Sequence, residues 1–171
     1  MKIRMTLLAA LMAPLFAFAQ GGPTDPQIAS IVVTANQVDI DAGKLAKGKT
    51  KNKDVKAFAQ QMITDHSAVN KQAVDLVTKL KVKPESNPTS DSLKKGGDEN
   101  IASLKKLKGK DFDKAYVDHE VAYHQQVLDA IDKTLIPSAK NAELKGLIEK
   151  VRPAIAAHLD HAKHLQMEMG K

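Results

Sequence analysis

Six histidines and no cysteine set the chemistry open to this chain. His66, His119, His124, His158, His161 and His164 fall near the middle of helical patterns, several in register with apolar residues that must face a core. A buried polar group left without a partner costs about 1–3 kcal/mol, so each such imidazole requires a hydrogen bond or a metal ion.

His66 takes an apolar position on the stripe Val55, Phe58, Met62, Val69, Ala73, Leu76 and Leu80, with Asp65 beside it turned outward. A later stripe, Val117, Val121, Leu128, Ile131 and Leu135, contains His124, and Glu120 lies one turn before it on the same face. His119 shares a neighbouring stripe with Tyr116 and Tyr123. The last stripe, Leu144, Ile148, Val151, Ile155, Ala162 and Leu165, contains His158. His161 follows about 60° further round, so the two rings can converge, whereas His164 turns away by about the same angle again. The first stripe brings Asp39 and Asp41, flanking Val38 and Ala42.

In helices of matched length these positions share one cross-sectional layer. Neutral imidazoles with carboxylates make a site for iron, zinc, copper or manganese. The expected metal ligands are His66, Glu120, His124, His158 and His161, with Asp39 and Asp41 in support. A metal-free reading stands beside it: a hydrogen-bonded His–carboxylate network that holds helix register in a non-catalytic structural or interaction module.

Other chemistry is thinly represented. The carboxylate-bridged di-iron pattern needs Glu-x-x-His on two helices. Here Ile63, Val121 and Ile155 stand three residues before His66, His124 and His158. There is no glycine-rich phosphate loop and no G-x-S-x-G elbow, and Ser67 diverges from His66 by about 100° on a helix. Lack of cysteine removes disulfides, thiolate zinc sites, c-type haem attachment and thiol catalysis. His161, His164, Met167 and Met169 form a softer set suited to copper, or the frayed end of an amphipathic helix. Nothing in these residues specifies a reaction, so enzymatic activity is left open.

Four long helices must position the layer. The first is expected from Asp25 as cap, with Pro26 at its first position, to Gly48-Lys49-Thr50. The second starts after Asn52 and stops before Pro84. The third follows Asp111 and runs to about Ile136; the fourth starts between Ser138 and Asn141 and ends near Met169, with a kink or restart at Pro153. About thirty residues, Val82 to Lys110, separate the two pairs and hold a short helix, Ser92 to Leu107, interrupted near Gly96-Gly97. The fold class is all-α: a ferritin-like four-helix bundle of two antiparallel hairpins joined by one long crossover.

Met1-Lys2-Ile3-Arg4, an apolar run from Met5 to Phe18 and the small-x-small Ala17-Phe18-Ala19 read as a signal peptide over 1–19, cleaved after Ala19, ahead of a single domain over 20–171. The expected address is the periplasm or exterior, with no transmembrane segment in the mature chain. Removing Lys2 and Arg4 lowers the formal charge from +6 to +4. Lys105, Lys106, Lys108 and Lys110 form a local cluster that reads as a solvated face with a weak preference for anionic surfaces. Nucleic acid is not an expected partner, and the oligomeric state is not legible.

Several stretches carry a family resemblance: Val38-Asp39-Ile40-Asp41-Ala42-Gly43-Lys44-Leu45-Ala46, Val55 to His66 with its Phe58-Ala59, Met62 and Asp65-His66, Phe112-Asp113-Lys114-Ala115-Tyr116-Val117 with His124 following, and Arg152-Pro153 with His158-Leu159. With these the chain resembles a family of exported bacterial proteins, often labelled outer-membrane proteins, that carry a ferritin-like helical domain of unknown function. The resemblance implies a ferritin-like four-helix fold. It also implies that His66, His124 and His158 are the family-typical histidines, that His119, His161 and His164 are additions, and that helix 1 is usually Glu-rich where Asp39 and Asp41 stand here. It implies no reaction.

Overall fold

A computed structural model describes residues 21–170; the signal peptide expected over 1–19 lies outside the described residues. These are all-helical, with no strand among them. No helix among them is long and apolar enough to cross a membrane. Helix α1 spans Asp25–Lys49, α2 Lys53–Lys79, α3 Pro88–Lys106, α4 Gly109–Ala130 and α5 Ala142–Met169. A π-helical turn, Ile131–Leu135, and one last turn, Ile136–Ser138, extend α4.

Local chemistry explains most of the boundaries. The Asn52 side chain accepts hydrogen bonds from the N–H groups of Asp54 and Val55, and Asn141 does the same for Glu143 and Leu144. At α1 the cap is Thr24, not Asp25, and Gln27 closes a capping box. Asp25 instead makes a tertiary contact. Its carboxylate accepts from the backbone N–H groups of Lys140 and Asn141 at 2.9 and 3.0 Å, tying the start of α1 to the start of α5. Helix α4 begins ahead of Asp111, because Gly109 at φ +55° turns the chain sharply out of α3. Helix α5 runs unbroken through Pro153, which is exposed, so the Glu149 carbonyl it leaves unpaired faces the solvent side.

The connecting helix departs most from expectation. It is longer than Ser92 to Leu107 and continuous through Gly96-Gly97, launched by an Asn87–Ser90 capping box. Gly97 does not break it because it is buried against α1, where an added Cβ would meet Val38 Cγ2 at 2.8 Å. Helix α3 runs parallel to α1 along its length. Asn87 Nδ2 donates to the Gln27 carbonyl, and Lys49 Nζ donates to the carbonyls of Leu104 and Lys105 at the far end. Lys105, Lys106, Lys108 and Lys110 stand exposed at that end.

Helices α1 and α2 form one antiparallel pair, in which Gly43 meets Ala59 and Asn36 meets His66. Helices α4 and α5 form another, pinned by the two-bond Arg152–Asp132 pair and by Gln166 on Asp118. Across the pairs α2 runs antiparallel to α5, with Lys79 on Glu143 and His158 on Asp65. Helix α1 runs antiparallel to α4, with Tyr123 on the Ala35 carbonyl and Lys49 over the Phe112 ring.

The apolar interior falls into two halves. One gathers Ile28, Ile31, Leu128, Ile131, Leu144 and Ile148; the other gathers Ala46, Val55, Phe58, Phe112, Val117 and Leu165. Between them on all four long helices lies a polar layer. The α1–α2 contact beside it is tight: a Cβ on Gly43 would sit 3.0 Å from the Ala59 carbonyl oxygen and 3.1 Å from Ile63 Cγ1. Overpacking in Gly43→Ala is therefore expected to cost about 1–3 kcal/mol, offset by the roughly 1 kcal/mol that alanine gains in a helix, for a net destabilisation of up to about 2 kcal/mol. Urea denaturation tests this; an unchanged or raised midpoint would show that the pair yields freely.

Candidate metal centre

The polar layer comprises Asp39 from α1, His66 from α2, Glu120 and His124 from α4 and His158 from α5, none more than 3% exposed. Among the described residues, two groups have ligand atoms close enough to hold a metal ion: His66, His124 and His158, and Asp39, Glu120 and His124. Within each group the atoms lie within 4.8 Å of one another. Nitrogens around an ion at the usual bond length of about 2.0–2.1 Å stand about 3.4 Å apart in a tetrahedron, so small side-chain movements close either set.

Hydrogen bonds fix which nitrogen of each ring is free. Asn36 Nδ2 donates to the Val32 carbonyl at 2.7 Å, which turns its Oδ1 toward His66. That oxygen accepts from His66 Nδ1–H at 2.7 Å, leaving Nε2 a bare lone pair. His124 Nδ1–H donates to the Glu120 carbonyl at 3.0 Å, which again leaves Nε2 bare. His158 is the reverse: its Nε2–H donates to Asp65 Oδ2 at 2.9 Å, leaving Nδ1. Those three nitrogens are buried without hydrogen bonds, and so are both Glu120 carboxyl oxygens. The rings crowd together, with centroids 5.2–5.7 Å apart.

A donor on one ring nitrogen and a bare lone pair on the other is the arrangement found around ligating histidines, where the outer partner sets orientation and basicity. Asn36, Asp65 and the Glu120 carbonyl fill that outer role. Replacing Asp65 with Ala is expected to weaken metal binding about 10–100-fold with little change in helix content, as read by competition with a chromogenic chelator. An unaltered affinity would remove Asp65 from the site.

Electrostatics agrees with the geometry. Burial, with the neighbouring imidazoles adding, holds His66 well below the usual histidine range, and burial lowers His124 to about 4. Burial also lowers His158, against the pull of Asp65. Burial and then the charge of Glu120 push Asp39 well above the usual carboxylate range, and burial raises Glu120 to about 8. The histidines are thus neutral, with lone pairs able to ligate, while the carboxyls hold protons that a bound cation would displace.

Five of the seven residues expected as ligands meet here, and two do not. Asp41 lies two residues beyond Asp39, about 200° round the helix, and its half-exposed carboxylate is held by Gln37 and Lys44. His161 lies one turn beyond His158, a rise of about 4.5 Å that carries it out of the layer. Its ring packs edge-on to Phe58, and Nδ1 meets Gln61 Oε1 at 3.2 Å. His164 and Met167 are exposed, so the softer C-terminal set is not gathered at one point. His119 is half-buried and stacked on Tyr123, outside both groups.

Sequence reading missed Asn36, Asp65 and Tyr116. Asn36 stands one turn before Asp39 and was detectable as a polar residue at a stripe position. The Tyr116 hydroxyl is buried beside the Glu120 carboxyl, in the field of Glu120 and Asp39. No curated protein and no solved structure matches this chain. The profile of one family, described as "Domain of unknown function (DUF4142)", matches residues 12–165. That match spans the polar layer and all five helices almost to the end of α5, and the chain belongs to this family.

Proposed function

We propose that this protein is a ferritin-like four-helix bundle, exported to the periplasm or beyond, that binds a transition-metal ion through His66, His124 and His158 with Asp39 and Glu120, in metal handling or stress protection. The observation that carries the reading is the set of bare nitrogens, His66 Nε2, His124 Nε2 and His158 Nδ1, each backed by a hydrogen bond on the opposite ring atom and each buried without a partner. Three imidazoles and two carboxyls suit iron, zinc or manganese, and copper in its divalent state. The ferritin-like label is supported by two antiparallel hairpins joined by a crossover helix that returns the length of α1. Export is supported by the basic start, apolar run and Ala17-Phe18-Ala19 of the N-terminus.

A second reading, a metal-free network in a structural module, has its own support: Asp65 and Asn36 partner two of the rings without any ion. Energetics weighs against it. The three bare ring nitrogens at about 1–3 kcal/mol each sum to about 3–9 kcal/mol, a large part of the roughly 5–15 kcal/mol stability of a typical domain.

Metal analysis of untagged mature protein decides between them. Stoichiometric iron, zinc, copper or manganese is expected, and its loss in the His66→Ala, His158→Ala double variant. Metal at 100–1,000 times its Kd should stabilise the parent by about 2.7–4.1 kcal/mol. A metal-free parent whose melting temperature none of the four ions raises would leave only the structural module.

A further inference from the structure

Beside the polar layer lies a partly open cavity of about 50 Å³, lined by Ile31 of α1, Leu93 of α3, Ala130 and the π-turn residues Ile131 and Leu135, and Ile148 of α5. Its walls are almost wholly apolar. Only Asn36, Asp39 and His66 at the metal centre, and the half-buried Gln126, bring polar atoms to it. Half-buried Val32, Val69 and Val127 carry the lining toward the surface. The cavity therefore runs from a half-buried rim to Asp39 and His66 of the layer.

We infer that this cavity binds an uncharged, apolar molecule of two or three heavy atoms, the size of dioxygen, and holds it against the Asp39–His66 side of the layer. Size and lining select the occupant. A dry apolar cavity of about 150 Å³ takes benzene or xenon; one of 50 Å³ has room for a diatomic and not for a ring. Water is disfavoured along the apolar walls because it needs two to four polar partners, and away from the Asn36, Asp39 and His66 end only Gln126 brings polar atoms. Anions are disfavoured because no Lys or Arg lines the walls. The π turn is part of the device. Its i→i+5 geometry sets Ile131 and Leu135 on the cavity wall, and such turns recur where a helix is shaped around a functional site.

Occupancy of the cavity does not depend on a metal; only delivery to a bound ion rests on the function proposed above. Xenon, used as the probe on metal-free protein, separates the two. Under xenon pressure we expect saturable binding of one atom per chain, seen in the ¹²⁹Xe shift and in a crystal as a peak between Ile31 and Ile148. Ala130→Leu should abolish it while leaving metal stoichiometry as in the parent. Leu135→Ala should enlarge the cavity and raise xenon affinity severalfold, which keeps the test alive should Ala130→Leu not fold. No saturable xenon in the parent, ordered water at that position, or undiminished xenon in Ala130→Leu would each overturn the inference. Failure to bind metal alongside normal xenon binding would overturn only the function proposed above.

Discussion

Asp39→Leu combined with Glu120→Met should make the metal-free protein more stable and abolish metal binding together. Asp39 and Glu120 are carboxyl groups in an interior that offers them poor pairing: both Glu120 oxygens lack a hydrogen bond, and Asp39 Oδ2 stands 3.5 Å from His66 Nε2. Replacing buried charged or polar clusters by apolar side chains of similar size is often stabilising by about 1–4 kcal/mol. In a chain of this size each kcal/mol raises the melting temperature by about 2–4 °C. The substitutions leave the hydrogen bonds of the three imidazoles intact, since none of those runs to a carboxyl of this pair. Thermal melts with and without chelator measure the gain, and metal analysis measures the loss. A double variant that melts below the metal-free parent would mean that the carboxyls hold the helices together, and the structural reading would win. A rise in stability with loss of metal would show a layer kept at the expense of stability for what it binds.

The metal-free protein should be most stable near pH 6.5 and lose stability on both sides. His66, His119, His124 and His158 all have lowered pKa values in the fold, His119 and His124 at about 4, because burial opposes their charge. In the unfolded chain they titrate near 6.5. As pH falls from 6.5 toward 4 the unfolded chain takes up protons that the folded one refuses, so stability is lost. Asp39 and Glu120 act in the opposite sense. Their folded pKa values are raised, Glu120 to about 8, so the unfolded chain releases protons that the folded one keeps, and stability falls as pH rises toward 8. Between about 4.5 and 6.5 four imidazoles outweigh two carboxyls; above that only the carboxyls act. The expected loss is about 2 kcal/mol or more on each side over two pH units. Metal requires neutral imidazoles and ionised carboxyls, so a bound ion should erase the alkaline loss and move the optimum upward. Urea denaturation in chelator at pH 5, 6.5 and 8 reads the profile. Equal stability at pH 6.5 and 8 without metal would show that the two carboxyls do not hold their protons.

Much of this protein is written along the chain. Helical periodicity, the Asn52 and Asn141 caps and the long connection between hairpins follow from local stereochemistry and apolar spacing, which act over a few residues. The same spacing places Asp39, His66, Glu120, His124 and His158 at one depth, because matched rods that pair antiparallel bring their midpoints together. Tertiary structure decided the rest. Asp39 and Asp41 look equivalent in sequence, yet the rotation of α1 buries one and leaves the other with Gln37 and Lys44. Asp65 is turned outward on its own helix, but α5 lies close enough for His158 to reach it. Which nitrogen of His66 stays bare was decided only when Val32 oriented Asn36 and Asn36 oriented His66. The π turn that follows α4 puts Ile131 and Leu135 on the wall of a cavity that no spacing rule announces. Periodicity reports which face of a helix is buried; which atoms meet across that face depends on helix rotation and translation, and packing between distant segments sets both.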